Sequence, residues 1–113
     1  MNIAIDVMGG DYAPEAVVDG ILLAISNLAP EETILAVGPA DTINTLLTER
    51  GYTGSQIRVI HAEEVIEMGE HPTRALSQKP NSSIGIGFAL LKEGKADIFA
   101  SAGNTGAMMV GSL

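Results

Sequence analysis

Two stretches of this chain share one order: a short apolar run, a turn of small residues, then a helix-compatible segment. In the first, Ile3-Ala-Ile-Asp-Val7 leads into Met8-Gly-Gly-Asp11 and, past Ala13, into Pro14 to Leu28. In the second, Ile98 to Ala100 leads into Ser101-Ala-Gly-Asn-Thr-Gly106 and then Ala107 to Leu113. A strand that passes directly into a helix cannot return as a hairpin, so such units call for crossovers and a parallel sheet. The same order sets several backbone N–H groups at the positive end of a helix, which is a ready anion site.

The intervening segments continue the alternation. Asn2 to Val7 is β-branched and alternates little, as in a strand buried on both faces. Asp6 inside it is unusual, because a buried carboxylate needs partners. Pro14 suits the first helical position, and Asp11 is placed to cap that helix. Glu15 to Leu28 has only a thin polar face (Glu15, Asp19, Ser26), which predicts a largely buried helix closed by Pro30. Thr33 to Val37 reads as a strand, Gly38-Pro39 as its turn, and Thr42 to Arg50 as an amphipathic helix stopped by Gly51. Ile57 to Ile60 is a third strand, Glu63 to Gly69 a surface helical turn, and His71 to Pro80 a loop or short helix. Asn81-Ser82-Ser83 caps a helix running to Glu93, with Gly94 at its end. Gly85 and Gly87 within it each cost roughly 1 kcal/mol relative to Ala. They signal close backbone packing or, since Ile84, Ile86 and Phe88 alternate, a strand. Asp97 to Ser101 is the fourth strand. The fold class is therefore α/β with a mostly parallel sheet. The last helix ends at Met-Met-Val-Gly-Ser-Leu113 without a polar or basic stop, so residues 1–113 read as the N-terminal part of one larger domain, cut at the C-terminus.

Composition narrows the chemistry. Hydrophobic residues make up 46% of the chain with few aromatics, so Ile, Leu, Val, Ala and Met must build the core. No apolar run reaches the ~20 residues of a spanning helix, and no signal peptide opens the chain. Cysteine is absent, which removes disulfides, thiolate metal sites and a cysteine nucleophile from this segment and fits a cytoplasmic location. The net charge of −8 comes entirely from residues 1–49, which hold eight acids and no Lys or Arg. Without a basic stripe, nucleic acid is not the partner. Backbone dipoles and a few cations, such as Arg74 and Lys79, must hold any anionic ligand.

Each candidate site has a plain structural reading beside the functional one. Ser101 to Gly106 fits a phosphate or oxyanion loop and equally a tight strand-to-helix turn; so does Met8 to Asp11. Two features favour function: both turns lie at carboxyl ends of strands, where open α/β sheets bind ligands, and Asp6 and Asp11 bracket one of them. Neither turn matches G-x-G-x-x-G, and no Walker-type lysine follows, so a dinucleotide or P-loop cofactor is not indicated. His61, His71 and Glu63, Glu64, Glu67 and Glu70 fit no standard metal-ligand spacing; a solvated acidic face is the better reading. Met108 and Met109 suit the core, and also an acyl-chain wall.

Asp6-Val-Met-Gly-Gly-Asp11 with Pro14, Lys79-Pro-Asn-Ser-Ser83 and Ser101-Ala-Gly-Asn-Thr-Gly-Ala107 together resemble the bacterial phosphate acyltransferase (PlsX) family of phospholipid synthesis. The resemblance runs the whole length, including His61-Ala-Glu-Glu-Val-Ile66. Ser77-Gln78 departs from the basic pair common at that place. Members of the family are about three times longer, in keeping with a cut last helix. The resemblance implies a three-layer α/β/α sandwich similar to the isocitrate-dehydrogenase-like and phosphotransacetylase-like enzymes. It further implies a homodimer, cytoplasmic or peripheral at the inner membrane face through the missing part, that moves a fatty acyl group from acyl carrier protein to inorganic phosphate without a cofactor. Asp6, Asp11 and Asn104 are then the candidate catalytic residues. Gly9, Gly10, Arg74, Lys79, Ser82, Ser83, Ser101, Gly103, Thr105 and Gly106 are candidate phosphate or acyl contacts. An acyl-CoA:phosphate transferase of the phosphotransacetylase type and an inactive anion-binding fragment remain open.

Overall fold

The structure, a computed structural model, describes residues 1–67, 69–103 and 105–112. Its elements are β1 (Asn2–Asp6), α1 (Glu15–Ile25), β2 (Thr33–Gly38), α2 (Ala40–Glu49), β3 (Ile57–His61), α3 (Pro72–Gln78), α4 (Ser83–Lys92), β4 (Ile98–Ala100) and α5 (Thr105–Ser112). The strands form one four-stranded sheet in the order β3-β2-β1-β4. Every pairing is parallel, with Ile5 beside Ala36 in β2 and beside Ala100 in β4.

The period-two alternation of a strand sorts β2 between two cores. Ile34 and Ala36 face Val18 and Ile21 of α1 and Ile43, Leu46 and Leu47 of α2. Leu35 and Val37 face the other way, with Ala4, Ala62, Leu90 of α4 and Ala96. Helices thus lie on both sides of the sheet, the three-layer α/β/α arrangement. A third cluster, Ile66, Ala75, Ile84 and Ala107, joins α3, α4 and α5.

Connectivity follows from handedness. Going β1→β2→β3 the chain steps one way, carrying α1 and α2 on one face. Going β3→β4 it steps back across β2 and β1, and a crossover of the same right hand must then carry α4 on the opposite face. The direction of winding therefore reverses between β1 and β4.

The two interior glycines of α4 are explained by proximity, and the segment is a helix rather than a strand. A Cβ on Gly87 would lie 2.2 Å from the Phe99 ring, and one on Gly85 2.7 Å from the Pro80 carbonyl. Phe99 in turn meets Phe88 edge to face, with centroids 5.2 Å apart, a favoured aromatic geometry.

Three expectations are corrected. Helix α1 is half exposed rather than largely buried: Val18 and Ile21 are its buried residues, and Leu23 is 76% exposed. Its apolar residues outnumber the sheet surface beneath it, and its outer face looks to solvent. Pro14 stands at the N-cap rather than the first helical position, with no side-chain cap, so Asp11, which is exposed, does not cap the helix. The acidic segment after β3 is extended rather than helical, held by a parallel bridge between Glu64 and Ser82. There Ser83 N–H donates to the Glu64 carbonyl (3.0 Å).

Candidate functional site

Asp6 ends β1 and is 2% exposed. One carboxylate oxygen accepts the Met8 N–H (3.0 Å) and the other accepts the Ser101 hydroxyl (2.7 Å). The Ser101 oxygen accepts in turn from the Gly103 N–H (2.9 Å). The buried carboxylate thereby meets the cost of its burial through charge-assisted bonds. It also ties the turn after β1 to the turn after β4, 95 residues away in sequence.

The backbones of the two turns touch. A Cβ on Gly9 would lie 2.7 Å from Gly103 N, 2.8 Å from Ser101 Oγ and 2.9 Å from Asp6 Oδ2. Gly10 has φ +98° and sits against Ala102, a conformation that side chains disfavour. Gly9 and Gly10 thus have a closer reason than a generic turn. The paired turns stand at the carboxyl ends of β1 and β4, where the winding reverses, which is the ligand-binding position of open α/β sheets.

Helix α4 brings its own start to this edge. Ser82 is its N-cap and accepts from Gly85 N–H (3.0 Å). Ser83 is buried, and its hydroxyl has no hydrogen-bond partner among the described residues. Helices α4 and α5 run side by side in parallel: Ile84 clusters with Ala107, and Gly111, four residues on, packs against Phe88 four residues on. Their N-termini therefore open at the same edge, both directing positive dipole ends towards it.

The remaining candidates are placed less centrally. Asp11 is exposed, beyond the hydrogen-bonded pair of turns. Arg74 is exposed on α3. Lys79 is occupied: its Nζ lies 2.5 Å from Glu70 Oε1 and donates to the Val65 carbonyl (2.9 Å), so it closes the loop that α3 interrupts. The Gly103 N–H is already given to Ser101. Gly106 is half-buried in the first turn of α5. Asn104 and the Thr105 side chain lie outside the described residues. His61 Nδ1 accepts the Ala40 N–H at the start of α2 (3.0 Å). Among the described residues, no group of three or more His, Asp or Glu is placed to hold a metal.

A cavity of about 300 Å³ adjoins the turns, lined by Ile5, Asp6, Val17, Ala100, Ser101 and Ala102. Sequence reasoning passed over Ile5, Val17, Ala100 and Ala102. The signal for two of them was the period-two face of β1 and β4; Val17 required knowing which side of α1 meets the sheet. A larger hollow of about 600 Å³ lies between the C-terminal halves of α4 and α5, at the far end of those helices from the turns. Among the described residues, no helix is long and apolar enough to cross a membrane.

The two glycine turns are thus locked at the switch point of a parallel α/β sheet, the place where open sheets of this class bind ligands. Residues 1–113 match the family model described as fatty acid synthesis protein, and the chain belongs to that family. It is 49% identical over 113 residues to a phosphate acyltransferase of Acetivibrio thermocellus, covering all of this chain and 33% of that protein. The phosphate acyltransferase of Salinibacter ruber is 47% identical over 99% of this chain and 33% of its own length. That of Dictyoglomus turgidum is 49% identical over all of this chain and 33% of its own. The chain spans about a third of the length of these curated relatives.

Proposed function

We propose that these residues form the N-terminal part of an enzyme domain that transfers a fatty acyl group from acyl carrier protein to inorganic phosphate. The observation that carries this reading is the Asp6–Ser101 bond, which holds two glycine turns and two helix N-termini at one strand edge. Kinship with proteins named phosphate acyltransferase supplies the reaction class.

In the reaction a phosphate oxygen attacks the thioester carbonyl. A new C–O bond forms, the C–S bond breaks, and the sulfur leaves as thiolate, which takes up the proton that phosphate gives up. Phosphate is an oxyanion at neutral pH, so no serine or cysteine nucleophile is required. The site's tasks are to hold phosphate against the carbonyl and to stabilise the tetrahedral oxyanion. Both oxygens of Asp6 accept hydrogen bonds, from Met8 and Ser101, so its part in this reading is to orient the turns. The amides opening α5, with the Ser83 hydroxyl and the Gly9-Gly10 turn, are the anion contacts, and Arg74, exposed on α3, supplies a cation.

The test uses a full-length protein carrying this segment, assayed for phosphate-dependent acyl phosphate formation from acyl carrier protein and from acyl-CoA. Gly9→Ala, which separates the two turns, is expected to cut kcat/KM at least about a hundredfold. Asn104→Ala is expected to cut it more than about tenfold; activity within about twofold of wild type for both variants would remove the turns from the catalytic site. A preference for acyl-CoA would assign the short-donor reaction instead.

A further inference from the structure

The cavity beside the paired turns has a polar end and an apolar body. Asp6 and Ser101 form the end; Ile5, Val17, Ala100 and Ala102 form the body. The body continues along the sheet. Ile3 lies beside Ile98, and Ile5 beside Ala100, in the parallel register. Residues two apart share a face, so these four stand on the side that α1 and α2 cover over β2. Over β4 that side is open, with Ile98 47% exposed and Ala100 exposed, while Ile5 of β1 beside them is half-buried against the α1 core. The opposite face of the same strands is filled, with Ala4, Leu90 and Ala96 buried and Phe99 packed against them. A chain leaving the turns therefore has its apolar exit on the α1 side. From Ala100 to Ile98 the trough gains about 7 Å, the rise of two strand residues.

We propose that this trough seats the hydrocarbon chain of the acyl donor, with the carbonyl at the Asp6–Ser101 end and Val17 and Ala100 as opposing walls that set chain-length preference. The proposal rests on the acyl-transfer reading. Continuity decides the occupant: the trough begins at the residues that lock the anion-binding turns, and its body carries no charged side chain. An acyl thioester attacked there has its polar atoms at one end and methylenes at the other, the same polarity as the trough. Each methylene that leaves water improves binding by a factor of about four, so a wall that removes room for several acts strongly on long donors and little on short ones.

The experiment uses a full-length protein carrying this segment, with butanoyl and hexadecanoyl groups on the same carrier protein and inorganic phosphate as acceptor. Val17→Phe fills the trough from the helix side. Ala100→Leu narrows it from an exposed strand position, where overpacking is a small risk. Each is expected to lower kcat/KM for the hexadecanoyl donor at least about tenfold, with the butanoyl donor within about twofold of wild type. Equal loss for both donors, as when another part of the protein fills the trough, or no change for either, would overturn the proposal. A wild-type protein that transfers neither acyl group to phosphate would sink the acyl-transfer reading itself, and this proposal with it. That outcome is told apart from failure of the trough alone, in which wild type remains active.

Discussion

Asp6 is a carboxylate buried in a strand, and its retention is explained by what it holds. Replacing Ser101 with Ala leaves one carboxylate oxygen and the Gly103 N–H without their shared partner. Unpaired buried groups cost about 1–3 kcal/mol, so Ser101→Ala is expected to lower the unfolding free energy by that amount, seen as a lower urea midpoint at unchanged m-value. A midpoint within error of wild type would show that the two turns hold together without the bond. Glu70 shows the opposite kind of charge, paired near the surface. The Lys79 ammonium, first, and the Glu67 N–H hold its carboxyl below the ordinary carboxylate range. A folded-state value depressed in this way contributes stability in full above the ordinary range and loses it as pH falls through the folded value. Melting temperature should therefore fall between about pH 5 and about pH 3 more steeply in wild type than in Glu70→Gln, and the two curves should converge at the acid end. Parallel curves over that range would show that the pair contributes nothing. Solvent screening keeps the effect small.

Helices α1 and α4 give the same substitution opposite signs. Gly→Ala inside a helix is favourable by roughly 0.5–1 kcal/mol through propensity alone. At Gly20 an added Cβ meets nothing within 4 Å, so Gly20→Ala is expected to stabilise by that amount. At Gly87 it lies 2.2 Å from the Phe99 ring, and overpacking costs about 1–3 kcal/mol, so Gly87→Ala is expected to destabilise on balance. Urea unfolding of both variants checks the pair, and equal shifts would refute the packing account. These helices also mark how far the sequence could be read. All four strands were legible as short apolar runs between polar or small-residue segments, β1 and β2 most clearly because they end at glycine or proline turns, and the α4 cap because Ser82 has its Gly85 amide in reach. The exposure of α1 was not, because an apolar helix reads the same whether or not a neighbour covers it. The extended form of residues 63–67 was not, because its ladder partner Ser82 lies far along the chain. Of the site, both turns and Asp6 were legible as local chemistry. That Asp6 bonds to Ser101, and that Lys79 is spent on Glu70, depends on contacts that no local pattern encodes.

The charge division of the chain becomes a division of surfaces once folded. Residues 1–49 supply α1 and α2, and the valley between these helices is lined by Glu15, Asp41 and Glu49. Arg50 bonds to Asp19 at one flank and offsets little of this; that bond, foremost, raises its pKa further above the ordinary range. An acidic carrier protein approaching the α1/α2 layer meets like charge, which costs association rate and register. On the proposed carrier-protein reading, docking is therefore expected on a surface other than the α1/α2 layer. At physiological salt, screening acts over about 8 Å, so charges on this layer have little reach to a partner bound elsewhere. Triple reversal of Glu15, Asp41 and Glu49 to Lys in a full-length protein is thus expected to leave KM for the carrier-protein donor within about twofold of wild type. A fall of about tenfold or more, lost again at high salt, would place the carrier on the α1/α2 face and reverse this assignment. Crosslinks from the carrier concentrated within residues 1–49 would reverse it independently of kinetics.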